Sequence, residues 1–157
     1  MNNTVPHAVF ASIEIDANDC IDAFEKIEVH EQQILRFFSS RSASSLNAIK
    51  LEQLAAFQTD PRFDRLARTK ILEDGLSDAP SVVRDFITCH VDELDMFGGV
   101  RPDLQDFVNQ MQLVHIGFYP SDDLVNFDYS IDPNLSDELL VMRFNLAGQL
   151  TRIDWES

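Results

Sequence analysis

The chain has 157 residues, with 12 Lys and Arg against 27 Asp and Glu, a formal net charge of -15 and a sequence pI near 4.4. That length suits one domain, 1–157, with a sizeable core, and an apolar share of 45% with 12 Phe excludes a disordered chain. The charge disfavours nucleic acid and anionic membrane surfaces as partners, and no apolar run reaches the ~20 residues of a membrane span.

The first 40 residues read as strands. "VFASIEI" (9–15) and "IDAFEKIEV" (21–29) alternate β-branched and aromatic residues with polar ones. "QQILRFF" (32–38) fits a strand or a helix start. Two cysteines, Cys20 and Cys89, make no disulfide framework. "MNNTVPHAVFASIEID" has no apolar leader core, so the expected setting is the cytoplasm, with reduced thiols.

Residues 44–111 read as about four helices. "SSLNAIKLEQLAAFQ" (44–58) opens on a serine cap and spaces Leu46, Ile49, Leu54 and Phe57 helically. In "DPRFDRLARTKILEDG" (60–75), Asp60 suits the N-cap and Pro61 the first helical position. Phe63, Leu66, Ala67 and Ile71 form its apolar stripe, and Gly75 is expected to end it. Arg62, Arg65, Arg68 and Lys70 alternate with Asp60, Asp64, Glu73 and Asp74, so they read as a solvated helix face, not a basic patch. "APSVVRDFITCHVDELDMFGG" (79–99) carries Val83, Phe86, Ile87, His90, Val91 and Leu94 on one stripe, with Gly98-Gly99 as the stop. "PDLQDFVNQM" (102–111) is a short fourth helix.

From residue 112 the period falls to 2. "QLVHIGFY" (112–119) puts Val114, Ile116 and Phe118 on one face. "VNFDYSID" (125–132) puts Val125, Phe127, Tyr129 and Ile131 on one face and Asn126, Asp128, Ser130 and Asp132 on the other, expected in water. "DELLVMRFNL" (137–146) and "QLTRIDW" (149–155) follow, joined by a hairpin turn "NLAGQ" in which Gly148 takes positive φ. The class is α+β: a helical middle packed on a C-terminal antiparallel meander, 112–157, with additional N-terminal strands.

"YPSDDLVNFDYSIDPNLSDELL" (119–140) holds Asp122, Asp123, Asp128, Asp132, Asp137 and Glu138, and no Lys or Arg occurs from Pro102 to Met142. Asn126, Asp128, Ser130, Asp132 and Asp137 fall at positions 1, 3, 5, 7 and 12 of a calcium loop. Ile131 stands where that loop needs Gly, and the apolar alternation asks for a strand, so no metal and no cofactor is expected. The histidines are His7, His30, His90 and His115, none in an HxxxH or HExxH pattern. Cys89 and His90 are neighbours, ~100° apart on a helix, and cannot serve each other as nucleophile and base. His90 reads as a hydrogen-bonded core histidine. His115 is placed to meet an acid on a neighbouring strand. There is no GxSxG, P-loop, GxGxxG or CxxC, so no catalytic residue is assigned. Unrelieved carboxylates suit docking to a basic partner, and the tail adds Asp154, Trp155 and Glu156. Trp155 fits either an interface anchor or core packing, since it alternates with Ile153 and Thr151.

"VVRDFITCHVDEL", "HIGFYP" (115–120), "DYSI" (128–131), "LSDELLV" (135–141) and "WES" (155–157) resemble the bacterial domain family of unknown function numbered two thousand and four. The likeness spans roughly residues 80 to 157, and the chain departs from it at His115, where the family has a basic residue, and at Trp155, where it has Met. The family brings no catalytic residues. Small acidic bacterial domains of this kind are similar to immunity proteins encoded beside polymorphic or contact-delivered toxins. The resemblance therefore implies an immunity protein that neutralises a cognate basic toxin domain. Its expected binding residues are Asp122, Asp123, Asp128, Asp132, Asp137, Glu138, Asp154, Trp155 and Glu156. The alternative is a small enzyme or regulatory adaptor using His115 with nearby carboxylates. Oligomeric state is left open.

Overall fold

The computed structural model of the protein describes residues 7–11, 21–41 and 46–157. Six strands form one sheet in chain order: β1 Ile21–Val29, β2 Gln32–Ser40, β3 Gln112–Tyr119, β4 Leu124–Ser130, β5 Leu139–Asn145 and β6 Leu150–Glu156. Neighbours are antiparallel except β2 and β3, which are parallel. A parallel pair needs a long crossover, and the helices supply it. These are α1 Ala48–Thr59, α2 Arg62–Leu76, α3 Val82–Thr88 and α4 Leu104–Gln110. The class is α+β, with the N-terminal strands joined to the same sheet as the C-terminal ones.

The ring contacts from the helices to the sheet fall on its core side. Phe57 of α1 packs on Phe127 and Phe144, Phe63 of α2 on Phe144, and Phe86 of α3 edge-on to Trp155. Tyr129 donates its hydroxyl proton to Asp64 at 2.7 Å, under the Arg68 guanidinium. The register lines up one core row across the strands: Ala23, Phe38, Phe118, Val125, Phe144 and Leu150. The next row is Glu25, Arg36, Ile116, Phe127, Met142 and Ile153.

Several local expectations change. Residues 32–38 lie in a strand, because Ile34 and Phe38 alternate into the core. Val9 and Phe10 are in a short 3-10 turn, not a strand: the His7 ring accepts from the Val9 N–H, and Phe10 packs on Phe38 and Phe118. The rest of that expected strand, 12–15, lies outside the described residues, as do Ser44, Ser45 and Cys20. α1 starts at Ala48, capped by Asn47, which accepts from the Lys50 N–H at 2.8 Å. Its buried residues are Leu51, Leu54, Ala55 and Phe57, while Ile49 is 75% exposed. At α2 the helix starts at Arg62 with Pro61 just before it, and Asp60, two residues ahead, accepts from the Arg62 N–H; its hydrogen bonds to Arg62 hold its carboxyl below the usual range. Gly75 lies inside α2 and does not end it. Its bareness admits Leu104, whose methyl carbons sit 2.9 Å from where a Cβ would be. After α3 a single π turn, Cys89–Glu93, carries the chain to Leu94, which is 45% exposed, and to Asp95 at φ 48°. The helical run thus stops before Gly98 and Gly99. His90 is buried in that turn with Nδ1 2.8 Å from the Phe86 carbonyl, the hydrogen-bonded core position expected of it.

In β3 the register slips between Leu113 and His115. Leu113 therefore faces Tyr129 and joins the core, and Val114 is the extra residue of a bulge, not a partner of Ile116 and Phe118. The β5–β6 turn is as the sequence indicates. Gly148 has φ 81° and donates to the Asn145 carbonyl at 3.0 Å, while Asn145 donates to Gln149 at 3.0 Å. A Cβ on Gly148 would also lie 2.9 Å from the Phe63 ring. Gly148→Ala should therefore lower stability by about 1–2 kcal/mol, read as a lower urea midpoint at unchanged m-value.

Candidate interaction face

Strand alternation that aims one set of side chains at the helices aims the other set away. Two rows cross this second face. The first is Phe24, Phe37, Gly117, Asn126, Arg143 and Arg152. The second is Lys26, Leu35, His115, Asp128, Val141 and Asp154. No described helix packs against them. On the β1 side the face is aromatic. Phe24 is 68% exposed and stacks on Phe37 at 4.4 Å, and Phe37 meets Tyr119 edge-on at 5.7 Å. Tyr119 lies flat over Gly117, where an added Cβ would come within 2.7 Å of the ring, so this close approach requires glycine. Burial, and secondarily the Asp128 charge, push the Tyr119 hydroxyl above its ordinary value.

Toward β6 the face is polar and internally paired. Asp128 Oδ2 is 3.4 Å from His115 Nδ1. Arg143 donates to Asp154 at 2.5 Å and to Glu156 at 2.7 Å, and Arg152 reaches Asp154 at 2.5 Å. The expectation that the polar positions of β4 sit in water does not hold. Asn126 is 8% exposed and Ser130 fully buried. The Oδ1 atoms of Asn126 and Asp128 and the Ser130 Oγ are buried with no partner among the described residues. Tyr119 explains part of this, since it covers Gly117, the cross-strand neighbour of Asn126.

Neither a family model, nor a curated protein, nor a solved structure matches this chain. Function has to be read from the geometry.

The expected binding residues fall in three places. Asp122 and Asp123 follow β3, 3.8 Å from Arg41 and 2.7 Å from Lys50 respectively. Asp132, Asp137 and Glu138 follow β4 at the opposite end, about 20 Å away along a seven-residue strand. Asp128, Asp154 and Glu156 lie on the face opposite the helices, Glu156 at the Glu138 end. The 102–142 stretch has no Lys or Arg of its own, but Arg41 and Lys50 pair with two of its acids from elsewhere in the fold, and His115, inside the stretch, faces Asp128. Asp132 accepts from the Asn134 N–H at 2.9 Å, a turn-forming contact, and Asp137 is exposed. Glu138 accepts the Trp155 indole N–H. Trp155 is 39% exposed with its edge on Phe86, so it is at once a packing residue and a surface aromatic. Beside it, burial first and then Glu93 and Glu138 push the Cys89 thiol up, which makes it a poor nucleophile.

The His115–Asp128 pair has the form of a base and the carboxylate that orients it. Among the described residues no hydroxyl or thiol hydrogen-bonds the imidazole, and no three His, Cys, Asp or Glu side chains are grouped to hold a metal ion. No described helix is long and apolar enough to cross a membrane. The aromatic half of the face was the part that sequence reasoning missed. A signal was present: Phe24 shares the parity of Asp22, Lys26 and Glu28, the charged side of β1.

Proposed function

We propose that the protein is a binding protein, an immunity protein that acts in the cytoplasm by occupying a cognate basic toxin domain with the face of its sheet opposite the helices. The observation that carries this reading is the Phe24–Phe37–Tyr119 cluster, with Phe24 exposed and the other two half-buried, on the same face as Asp128, Asp154 and Glu156. Exposed aromatics in a polar surround mark interaction sites, and a buried aromatic centre supplies most of the energy of such interfaces. The net charge of -15 favours fast encounter with a basic partner. Trp155, with Asp137, Glu138 and Glu156 around it, extends the surface over the β6 edge.

The test begins with the immobilised protein in extract of its own cells and continues with the purified partner. A basic partner should bind Phe24→Ser at least about 30-fold more weakly, because Phe24 supports no core contact and its loss leaves the fold intact. Asp137→Lys with Glu156→Lys should slow association about ten-fold, and less at high salt. Asp128 is unsuited to such a reversal, being mostly buried against His115. An acidic partner, or unchanged binding by both variants, would sink the reading. A second reading, a small enzyme or regulatory adaptor working through His115, draws on the His115–Asp128 contact. It requires a turnover or a ligand response that His115→Ala abolishes at unchanged melting temperature.

A further inference from the structure

β2 and β3 pair only over Leu35–Phe38 and His115–Phe118. Before that, Gln32–Ile34 and Gln112–Val114 part, and the bulge at Val114 turns the start of β3 toward β4. The result is a cleft of about 670 Å³, within the usual range for small-ligand sites. Its apolar lining comes from Ile34, Leu35, Leu113, Val114 and Pro133. Its polar lining comes from Gln32, Gln33, Gln112 and Lys26. The facing strand edges carry main-chain N–H and C=O groups outside the β2–β3 ladder. Lys26 is the one charged lining residue and makes no ion pair among the described residues, in a chain where acids outnumber bases 27 to 12. It lies opposite Leu35 in the register and is exposed.

We propose that this cleft binds the C-terminal end of an extended peptide. The peptide backbone would pair with the free strand edges, its side chains would rest on Leu35, Leu113 and Val114, and its terminal carboxylate would meet Lys26. This is strand addition with carboxylate capture at one end. An unpaired ammonium selects an anion, and two open strand edges three residues long select an extended main chain. Lys26 and Leu35 stand one row along from Phe24 and Phe37 on the same face of the sheet, but the cleft lies between the strands and uses none of the three aromatics.

The test uses the isotopically labelled full chain and the peptide N-acetyl-Ala-Val-Thr-Val, with its C-terminal amide and sodium acetate as controls. Amide resonances of Gln32–Leu35 and Gln112–Val114 should shift saturably with the free acid. The amide form should bind at least ten-fold more weakly, and Lys26→Met should lose the same factor for the acid while losing nothing for the amide. Lys26 is exposed, so its replacement leaves the fold in place. No saturable shift up to about 5 mM, equal affinity for acid and amide, or shifts centred elsewhere would overturn the proposal. Acetate binding as tightly as the peptide would overturn the peptide part and leave an anion contact only.

Discussion

Replacing Arg36 with alanine should cost the fold about 2–4 kcal/mol, more than any exposed charge in the protein. Arg36 stands in a core row between Glu25 and Ile116, and is only 3% exposed. A buried guanidinium survives only if its donors are used. Here one terminal nitrogen donates to the Val9 carbonyl at 2.6 Å and to the Gln58 side chain at 3.0 Å, the other to Glu25. The guanidinium carbon also lies 5.2 Å from the centre of the Phe10 ring. One side chain thus ties β1, β2, α1 and the turn at 8–10 together. Alanine would leave a cavity and strand the Val9 carbonyl and the Gln58 amide. Arg36→Lys should recover only part of the loss, because one ammonium does not reproduce the planar fork. Glu25→Gln should cost less than either, since the Glu25 side chain is 41% exposed and rehydrates. Urea midpoints in the order wild type, Glu25→Gln, Arg36→Lys, Arg36→Ala, at a common m-value, are the expected result. An Arg36→Ala protein as stable as wild type would show that the network adds nothing net.

Arg36 also shows where sequence reading runs out. In "QQILRFF" it is one charged residue in an apolar run, and nothing local says which face it takes. Its partners lie 11, 22 and 27 residues away. Local patterns carried well. The meander from 112 was legible because Phe127, Tyr129, Met142 and Phe144 keep period 2, and Gly148 marks its last turn. The helices were legible in number, but their ends were not. Gly75 looked like a stop and is a contact point for Leu104, a tertiary use invisible in one dimension.

The candidate face was half legible for the same reason. Alternation correctly separated Asn126, Asp128 and Ser130 from Phe127 and Tyr129. It gave no means of knowing that Tyr119 would fold across Gly117, beside Asn126, or that Ser130 would be fully buried. Nor does a gap in Lys and Arg along the chain mean a gap in space. Arg41, just past β2, and Lys50 of α1 reach Asp122 and Asp123, and Arg143 reaches Asp154 and Glu156 along its own hairpin. Much of the charge that looked unopposed is opposed, so the aromatic cluster carries more of the binding argument than the acids do.

Tyr129→Phe should make the protein less stable at pH 7 and relatively more stable in alkali. The Tyr129 ring is fully buried, and its hydroxyl donates to Asp64, which Arg68 also holds at 3.1 Å. Removing the hydroxyl loses one hydrogen bond but leaves Asp64 paired, a cost of about 1 kcal/mol. Burial first, and then the Asp64 charge, push the Tyr129 hydroxyl well above its ordinary value. An unfolded tyrosine releases its proton near pH 10. Above that pH the unfolded chain holds fewer protons at this site than the folded one. The stability due to Tyr129 is therefore complete below about pH 10 and is lost as pH rises toward the folded value, by up to about 1.4 kcal/mol per pH unit. Cys89 and Tyr119 are raised too and add to the alkaline decline in the same sense. They remain in the variant, so the difference between the two proteins isolates Tyr129. Urea midpoints measured from pH 7 to 11.5 should start with wild type ahead and converge above pH 10, with the phenylalanine variant overtaking it at the alkaline end. Parallel curves across that range would mean that the buried hydroxyl ionises in the folded protein as readily as in water, and that the Asp64 contact does not hold its proton.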